Sequence, residues 1–263
     1  MNVHYRQIGL SMVELLVALA ISSFLILGIT QIYIDNKKSY FFQQGQSENN
    51  ESVRFLTYML DREFQKIGYR REPTIEHEFV FKTDSNAGFL IAGQTVKPLS
   101  DTHIKFRYQY STDEDFSCDG KKYTDEAGAI EKDKINTLYE YGDTGFRTVD
   151  IKFDKNSNAI TCNGNEIVSG VADFQLEYAV PVVQSDYSQG IKYVKFDDLQ
   201  SSDKIKGIRY QALLASTMKA LADFEGSASV NALYKDDDAN KPSDKAIYQF
   251  VNKTVMLRNL MSW

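Results

Sequence analysis

An apolar segment from Leu15 to Ile34 directly follows a single acidic residue, Glu14. About 20 apolar residues are enough for one helix to cross the hydrocarbon core of a bilayer. From Leu10 to Ile34, Glu14 is the only side chain charged at neutral pH. A carboxylate at the centre of a membrane helix costs roughly 2.5 to 3.5 kcal/mol. We therefore expect Glu14 to have a polar partner or a function.

Nine residues, Met1 to Gly9, precede this segment and end in a small residue. In a secretory signal the small-residue cleavage site follows the apolar region, whereas here Gly9 comes before it. Cleavage after Gly9 would leave the apolar helix on the mature chain and create an amino group on Leu10, which is cationic near neutral pH. That amine would start a helix with a carboxylate about one turn further along.

The run from Gly9 to Glu14 (GLSMVE) resembles the class III signal of type IV prepilins and pseudopilins. The resemblance implies that a prepilin peptidase cuts between Gly9 and Leu10 and methylates Leu10, although most members have Phe at this position. It also implies that Glu14 pairs with the Leu10 amine of a neighbouring subunit, or of its own chain, and so fixes axial register during assembly. An unpaired ion is strongly disfavoured in an apolar core. An ordinary signal anchor with a protonated Glu14 stays open as the alternative.

The charges flanking the apolar segment do not decide its orientation, because Arg6 and His4 precede it while Lys37 and Lys38 follow it. The leader and the cysteines favour a cytoplasmic start and an exported C-terminal part. We therefore predict a single-pass inner-membrane protein with a periplasmic C-terminal domain. The resemblance implies that the protein moves from the membrane into a pilus fibre at the cell surface.

The composition argues against a nucleic-acid binder, since 30 Lys and Arg are interspersed with 36 Asp and Glu and the net charge is -6. The three histidines are isolated in sequence, and we find no phosphate-binding glycine loop. Neither a zinc site nor a Ser-His-Asp triad is therefore indicated, and we predict no enzymatic activity. We predict no cofactor. A calcium site is left open by two acidic runs, Asp113–Asp115 and Asp236–Asp238, whereas the turn at Asp154 lacks the EF-hand spacing.

Two cysteines, Cys118 and Cys162, lie in polar surroundings. In an exported protein a lone pair of this kind usually forms a disulfide, which would stabilise the fold by roughly 2 to 4 kcal/mol. A metal pair and a reactive thiol are the alternatives.

A second helical pattern follows the apolar segment and ends near Gly68. Apolar residues recur at spacings of three and four, at Val53, Leu56, Leu60, Phe64 and Ile67. One helix from Leu10 to Ile67 would be far longer than a bilayer is thick, so its second half must pack on a globular domain. The polar stretch around Gly45 leaves a bend or interruption open.

The remainder alternates between apolar and polar residues, as half-buried strands do. The alternating positions are Ile104, Phe106, Tyr108 and Tyr110, then Val149, Ile151 and Phe153, then Phe174, Leu176, Tyr178 and Val180, with Ile205–Leu214 and Tyr248–Leu257 as closing strands. Tyrosines at such positions predict core residues rather than a sugar-binding surface. We predict an α+β, pilin-like fold: a leader (1–9), a transmembrane helix (10–34), an amphipathic continuation (35–72) and an antiparallel β-rich head (73–263).

Three segments of the head, Ile167–Tyr178, Ile205–Leu214 and Thr254–Leu260, are similar to strands of PilW-type minor pilins and J-type minor pseudopilins. The resemblance implies a minor pilin that helps prime type IV pilus assembly and is incorporated into the fibre near its tip, as part of a minor-pilin complex. Motility, adhesion, DNA uptake and secretion stay open as the function of that fibre. Its partners would be other minor pilins, the major pilin, the prepilin peptidase and the inner-membrane assembly platform. A J-type pseudopilin of type II secretion and a membrane-anchored adhesive module are the alternatives.

Overall fold

The computed structural model describes residues 11–110, 116–122, 146–183, 189–219, 230–231, 234 and 246–261. The helices of the described residues include α1, Met12–Lys66, and α2, His77–Val80. The strands are β1 Val96–Ser100, β2 His103–Gln109, β3 Phe146–Asp154, β4 Ala159–Cys162, β5 Asn165–Val168, β6 Val171–Val183, β7 Gln189–Val194, β8 Gly207–Lys219 and β9 Ala246–Met256. The architecture is thus a long N-terminal helix with an antiparallel β head, as predicted.

The strands form two antiparallel sheets. The first has the order β1-β2-β3-β4-β5, and the second has the order β7-β6-β8-β9. The predicted alternation is confirmed on β3 and β6, where Val149, Ile151, Phe174 and Leu176 are fully buried. On β2 it is wrong at Arg107, which was expected on the polar side of the strand and is fully buried.

Helix α1 packs its second half on β8 and β9 of the second sheet. The predicted stripe is confirmed, because Leu56, Leu60, Phe64 and Ile67 are fully buried. Burying each of these side chains contributes about 1.5 to 3 kcal/mol. The Phe64 ring contacts Tyr210 of β8 at 6.1 Å and Phe106 of the first sheet at 5.9 Å, so the helix joins both sheets into one core.

The first half of α1 extends away from the head. Every residue from 12 to 40 is exposed, and no interruption occurs at Gly45. Among the described residues α1 is the helix that is long and apolar enough to cross a membrane, judged on length and composition. At 1.5 Å per residue, its 55 residues extend for about 82 Å.

Candidate functional site

The N-terminal end of α1 brings Glu14 into the first helical turn. Ser11 is the N-cap residue, and its carbonyl accepts the first helical hydrogen bond from the Leu15 amide at 3.1 Å. Free backbone N–H groups and the helix dipole make this end favourable for a negative charge. Gly9 and Leu10, the predicted cleavage and methylation positions, lie outside the described residues.

Three hydroxyl groups in the apolar half of α1 are satisfied by the helix itself. They donate to carbonyls one turn earlier: Ser22 to Ala18 (2.7 Å), Ser23 to Leu19 (2.8 Å) and Thr30 to Ile26 (2.7 Å). Within the described part of the chain, Glu14 has no such partner. It carries the one charged side chain of the described residues 12–34, which is the carboxylate that the sequence singled out.

Gly45 and Asn49 set how closely the head approaches the helix. A Cβ at Gly45 would lie 2.6 Å from Ile247 Cδ1 and 3.2 Å from Ser216 Oγ, so only glycine fits this contact without displacement. One turn later, the buried Asn49 Nδ2 donates to the Ile247 carbonyl at 2.6 Å. The polar stretch that left an interruption open is thus a close contact between α1 and the sheet.

Asp61 fastens the middle of the helix to the sheet. Its carboxylate accepts a hydrogen bond from the Tyr210 hydroxyl at 3.0 Å and pairs with Lys253 of β9. Burial and the Asp61 charge raise the pKa of Tyr210, so its hydroxyl stays a donor at neutral pH. Closer to the apolar half of α1, the Glu48 carboxylate accepts a hydrogen bond from the Thr217 hydroxyl at 2.8 Å.

Asn259 closes the C-terminal end of α1. Its Nδ2 donates to the carbonyls of Gln65 and Ile67, each at 3.0 Å, and so satisfies two groups that a helix end leaves without partners. Gly68 follows with a φ of +70°, a left-handed conformation that favours glycine. The head therefore contacts the packed half of α1 at three places: around Gly45, at Asp61 and at the C-terminal end of the helix.

Two segments of the chain match known family models. Residues 5–30 match the model described as Prokaryotic N-terminal methylation motif, and residues 136–259 match the one described as Type IV Pilus-assembly protein W. The first match covers the start of α1, and the second covers β3 to β9 of the head. The chain combines a prepilin N-terminal methylation motif with a PilW-type segment.

A type IV-like pilin from Thermus thermophilus is a structural neighbour at a TM-score of 0.38 and 15% identity. The alignment covers 81% of this chain and 98% of that chain. No protein with a curated description matches the sequence significantly.

The two matched segments contain the start of α1 and several head residues that contact α1. The methylation motif includes Gly9, Leu10 and Glu14, whereas the PilW segment includes Tyr210 and Asn259, which hold α1. The family is one of structural pilins, and membership implies contacts with other pilin subunits and processing through the motif. The apolar helix and the motif fit a membrane-anchored pilin.

The predicted disulfide between Cys118 and Cys162 is present in this PilW-type head, with Cα atoms 6.0 Å apart. It ties residues 116–122 to β4. Beside it, the buried Arg147 pairs with Asp119 at 3.1 Å. Burial favours a higher pKa for Asp119, but hydrogen bonds from Ser117 and Asn163 and the Arg147 charge outweigh it, so the pKa lies below 3.8.

Arg107 is the residue whose role sequence reasoning missed. Its guanidinium lies 4.1 Å from the centre of the Phe89 ring and also faces Phe81 and Phe146. It donates to the carbonyls of Lys82 at 2.6 Å and Gln94 at 3.0 Å. Burial lowers the pKa of Arg107 to about 10, which still leaves it charged at neutral pH. No local pattern distinguishes it from the half-buried Lys105 two residues earlier.

The remaining predictions about sites concern polar clusters. The described residues contain no group of three or more His, Cys, Asp or Glu side chains placed to hold a metal ion. The runs Asp113–Asp115 and Asp236–Asp238 lie outside the described residues. Core positions are confirmed for four of the tyrosines, which are buried: Tyr108, Tyr110, Tyr178 and Tyr210.

Proposed function

We propose that this chain is a minor pilin that helps prime assembly of the type IV pilus and enters the fibre near its tip, in a complex with other minor pilins. The observation that carries the proposal is the continuous, solvent-exposed apolar surface of α1 from Met12 to Ile34, with Glu14 at its start. Such a surface requires lipid before assembly and the helices of other subunits afterwards.

Processing supplies the partner for Glu14 in this proposal. A prepilin peptidase removes residues 1–9 by cutting between Gly9 and Leu10, and the new Leu10 terminus is methylated. Since α1 begins at Met12, the new amine lies close in sequence to the helix start. An incoming subunit is in register when its cationic terminus meets a Glu14 carboxylate, because any other register leaves both charges unpaired in an apolar core.

The proposed topology follows from the same division of α1. Residues 10–34 occupy the inner membrane, residues 35–72 continue the helix into the periplasm, and residues 73–263 form the head. The major pilin, the other minor pilins and the inner-membrane assembly platform are the proposed partners. The chain itself carries out no covalent chemistry.

The first test is the intact mass and N-terminal sequence of the protein from membranes, with and without an active prepilin peptidase. We expect a chain beginning at methylated Leu10 only when the peptidase is present. A Met1 terminus in both strains would overturn the assignment to the pilin class.

The second test separates processing from assembly. Glu14→Val should be cleaved normally but reduced at least tenfold in sheared fibres, whereas Ser22→Ala on the same exposed helix surface should enter fibres as the parent does. Deleting the gene should abolish pili and leave type II secretion intact. The reverse result would identify the chain as a J-type pseudopilin instead.

A further inference from the structure

Strand β9 is an open edge of the second sheet, since β8 is its one neighbour in the described strand order. The Leu257 amide donates to the Lys206 carbonyl at 2.8 Å, and hydrogen-bonded pairs alternate along an antiparallel ladder. The backbone groups of Phe250, Asn252 and Thr254 therefore point away from β8. Within the described part of the chain, no hydrogen bond reaches these N–H and C=O groups.

This edge lacks the usual protection against an added strand. Edges are ordinarily kept short or interrupted by charges, prolines and bulges. Strand β9 has 11 residues and no proline, and its irregular register lies between Ala246 and Tyr248, away from the open groups. Its single charged side chain, Lys253, is paired with Asp61 of α1. Residues 252–254 are exposed, so the described part of the chain leaves them accessible to a partner.

The other open edge of the same sheet, β7, is better protected. It has six residues and carries the exposed Lys192, and a second exposed lysine follows it directly. The backbone groups of Ile191 and Tyr193 point outward on this edge, because the Ala179 carbonyl opposite Tyr193 is bonded to Lys206 on the β8 side. Strand addition is therefore favoured at β9 rather than at β7.

Strand β9 and the segment after it run beside α1 in the direction of the helix. The contacts follow in the same order along both: Asn49 with Ile247, Asp61 with Lys253, and Gln65 with Asn259. Between the first and the last contact α1 rises about 24 Å. Tyr58 is 61% exposed and precedes Asp61 by three residues, which places it on the next turn of the same flank. A strand added to β9 would thus lie along α1, beside Tyr58.

We propose that the edge of β9 from Phe250 to Thr254 binds an extended strand from the head of a different pilin in the same complex. Backbone hydrogen bonds hold this strand, and apolar side chains on its helix-facing side contact Tyr58. The contact rests on the proposed function, because the other pilins of the complex supply the strand. The matched motifs imply contacts with other pilin subunits, and a subunit packed on the apolar half of α1 brings its head to the flank that bears α1.

A second copy of the chain does not fit this edge. Antiparallel pairing of two β9 strands would reverse one of them, together with the α1 that runs beside it. Two chains anchored in one membrane have helices of the same direction. Parallel pairing through the same edge would place the two helices on opposite faces of the joined sheet, so that their apolar halves would be apart. The partner is therefore a different chain, in agreement with a minor pilin that acts among other minor pilins.

Photocross-linking in cells that make fibres tests the partner. The photoreactive residue p-benzoylphenylalanine, incorporated at Asn252, should give an adduct with another pilin of the same assembly, identified by mass spectrometry of sheared fibres. The same group at Gln200, which is exposed elsewhere on the head, should not give this adduct. An adduct between two copies of this chain would overturn the different pilin as the partner. A chain that enters fibres but gives no adduct at Asn252 would overturn coverage of the edge alone.

Proline substitution tests whether the backbone makes the contact. Thr254→Pro removes an N–H group that points away from β8, so the head should keep its fold while the adduct from Asn252 falls at least tenfold. Ile191→Pro, which makes the same change on β7, should leave the adduct unchanged. Equal effects of the two prolines, or no effect of either, would contradict strand addition at β9.

Hydrogen exchange of the parent chain provides a readout without substitutions. The amides of Phe250, Asn252 and Thr254 should exchange at least tenfold more slowly in fibres than in the detergent-solubilised chain, whereas those of Ile191 and Tyr193 should exchange equally in both. Equal exchange of the β9 amides in the two states would overturn the strand contact and leave the proposed function intact. A chain absent from fibres that otherwise assemble would overturn the proposed function itself.

Discussion

Tyr210 donates its phenolic hydrogen to Asp61 across the junction between β8 and α1, over 3.0 Å. Tyr178 is buried in the same sheet, but among the described residues its hydroxyl has no hydrogen-bond partner. The two tyrosines therefore provide a matched pair for measuring what the junction contributes.

Tyr210→Phe should lower the free energy of unfolding by about 1.5 to 3 kcal/mol, because it removes a hydrogen bond to a charged acceptor. Tyr178→Phe should be neutral or stabilising, since it removes only a buried hydroxyl without a partner. Urea unfolding of the detergent-solubilised chain measures both. Equal losses from the two substitutions would contradict a specific role for the Asp61 bond.

Gly45→Leu should weaken the attachment of the head by roughly 1 to 3 kcal/mol, because its side chain would have to displace Ile247 and Ser216. Gly28→Leu, made where nothing lies within 4 Å, is the control and should leave the head's stability unchanged. Proteolysis of the segment around residue 45 should accelerate for the first variant only. If Gly45→Leu resisted proteolysis as well as the parent does, the close approach of α1 to Ile247 and Ser216 would not be needed for attachment of the head.

Asn259→Ala should cost about 1 kcal/mol, since two carbonyls at the end of α1 would lose their donor. Hydrogen exchange should rise in the last turn of the helix and remain unchanged near Glu48. Asn252→Ala, at an exposed position on β9, is the matched control. If exchange at the last turn is unaffected, Asn259 does not cap the helix.

Asp119→Asn should destabilise the head by about 3 kcal/mol at neutral pH, because it removes the carboxylate that pairs with the buried Arg147. The pKa of Asp119 in the folded state is below 3.8, so its contribution is complete well above that pH and is lost as pH falls through the folded value. The variant should thus show a smaller loss of stability on acidification. Asp150→Asn, in a more exposed pair with His103, serves as the control. If the variant lost as much stability on acidification as the parent does, the lowered pKa would not belong to Asp119.

The sequence was most informative where a residue's role depends on its immediate neighbours. Glu14 is recognisable because nothing charged surrounds it, and Leu56, Leu60 and Phe64 because helical spacing repeats on one face. The alternation on β3 and β6 likewise reflects a local property, the two faces of a strand.

The roles that escaped prediction depend on residues distant in the chain. Gly45 looks like a weak point of the helix until Ile247 is known to lie against it. Arg107 alternates as a surface residue would, and it is buried only because the backbone at Lys82 and Gln94, distant in the chain, folds over it and accepts its hydrogen bonds. Asn259 belongs to a segment whose family resemblance was visible, but its bonds to Gln65 and Ile67 are not readable from that resemblance.

The cap at the end of α1 also imposes an order on biogenesis. Asn259 lies 192 positions after Ile67, whose carbonyl it bonds. The helix is among the first parts of the chain to leave the ribosome, yet its last turn stays incomplete until synthesis has reached residue 259. A chain stalled or truncated before that point would leave the carbonyls of Gln65 and Ile67 without the Asn259 donor, so the last turn of its helix would fray.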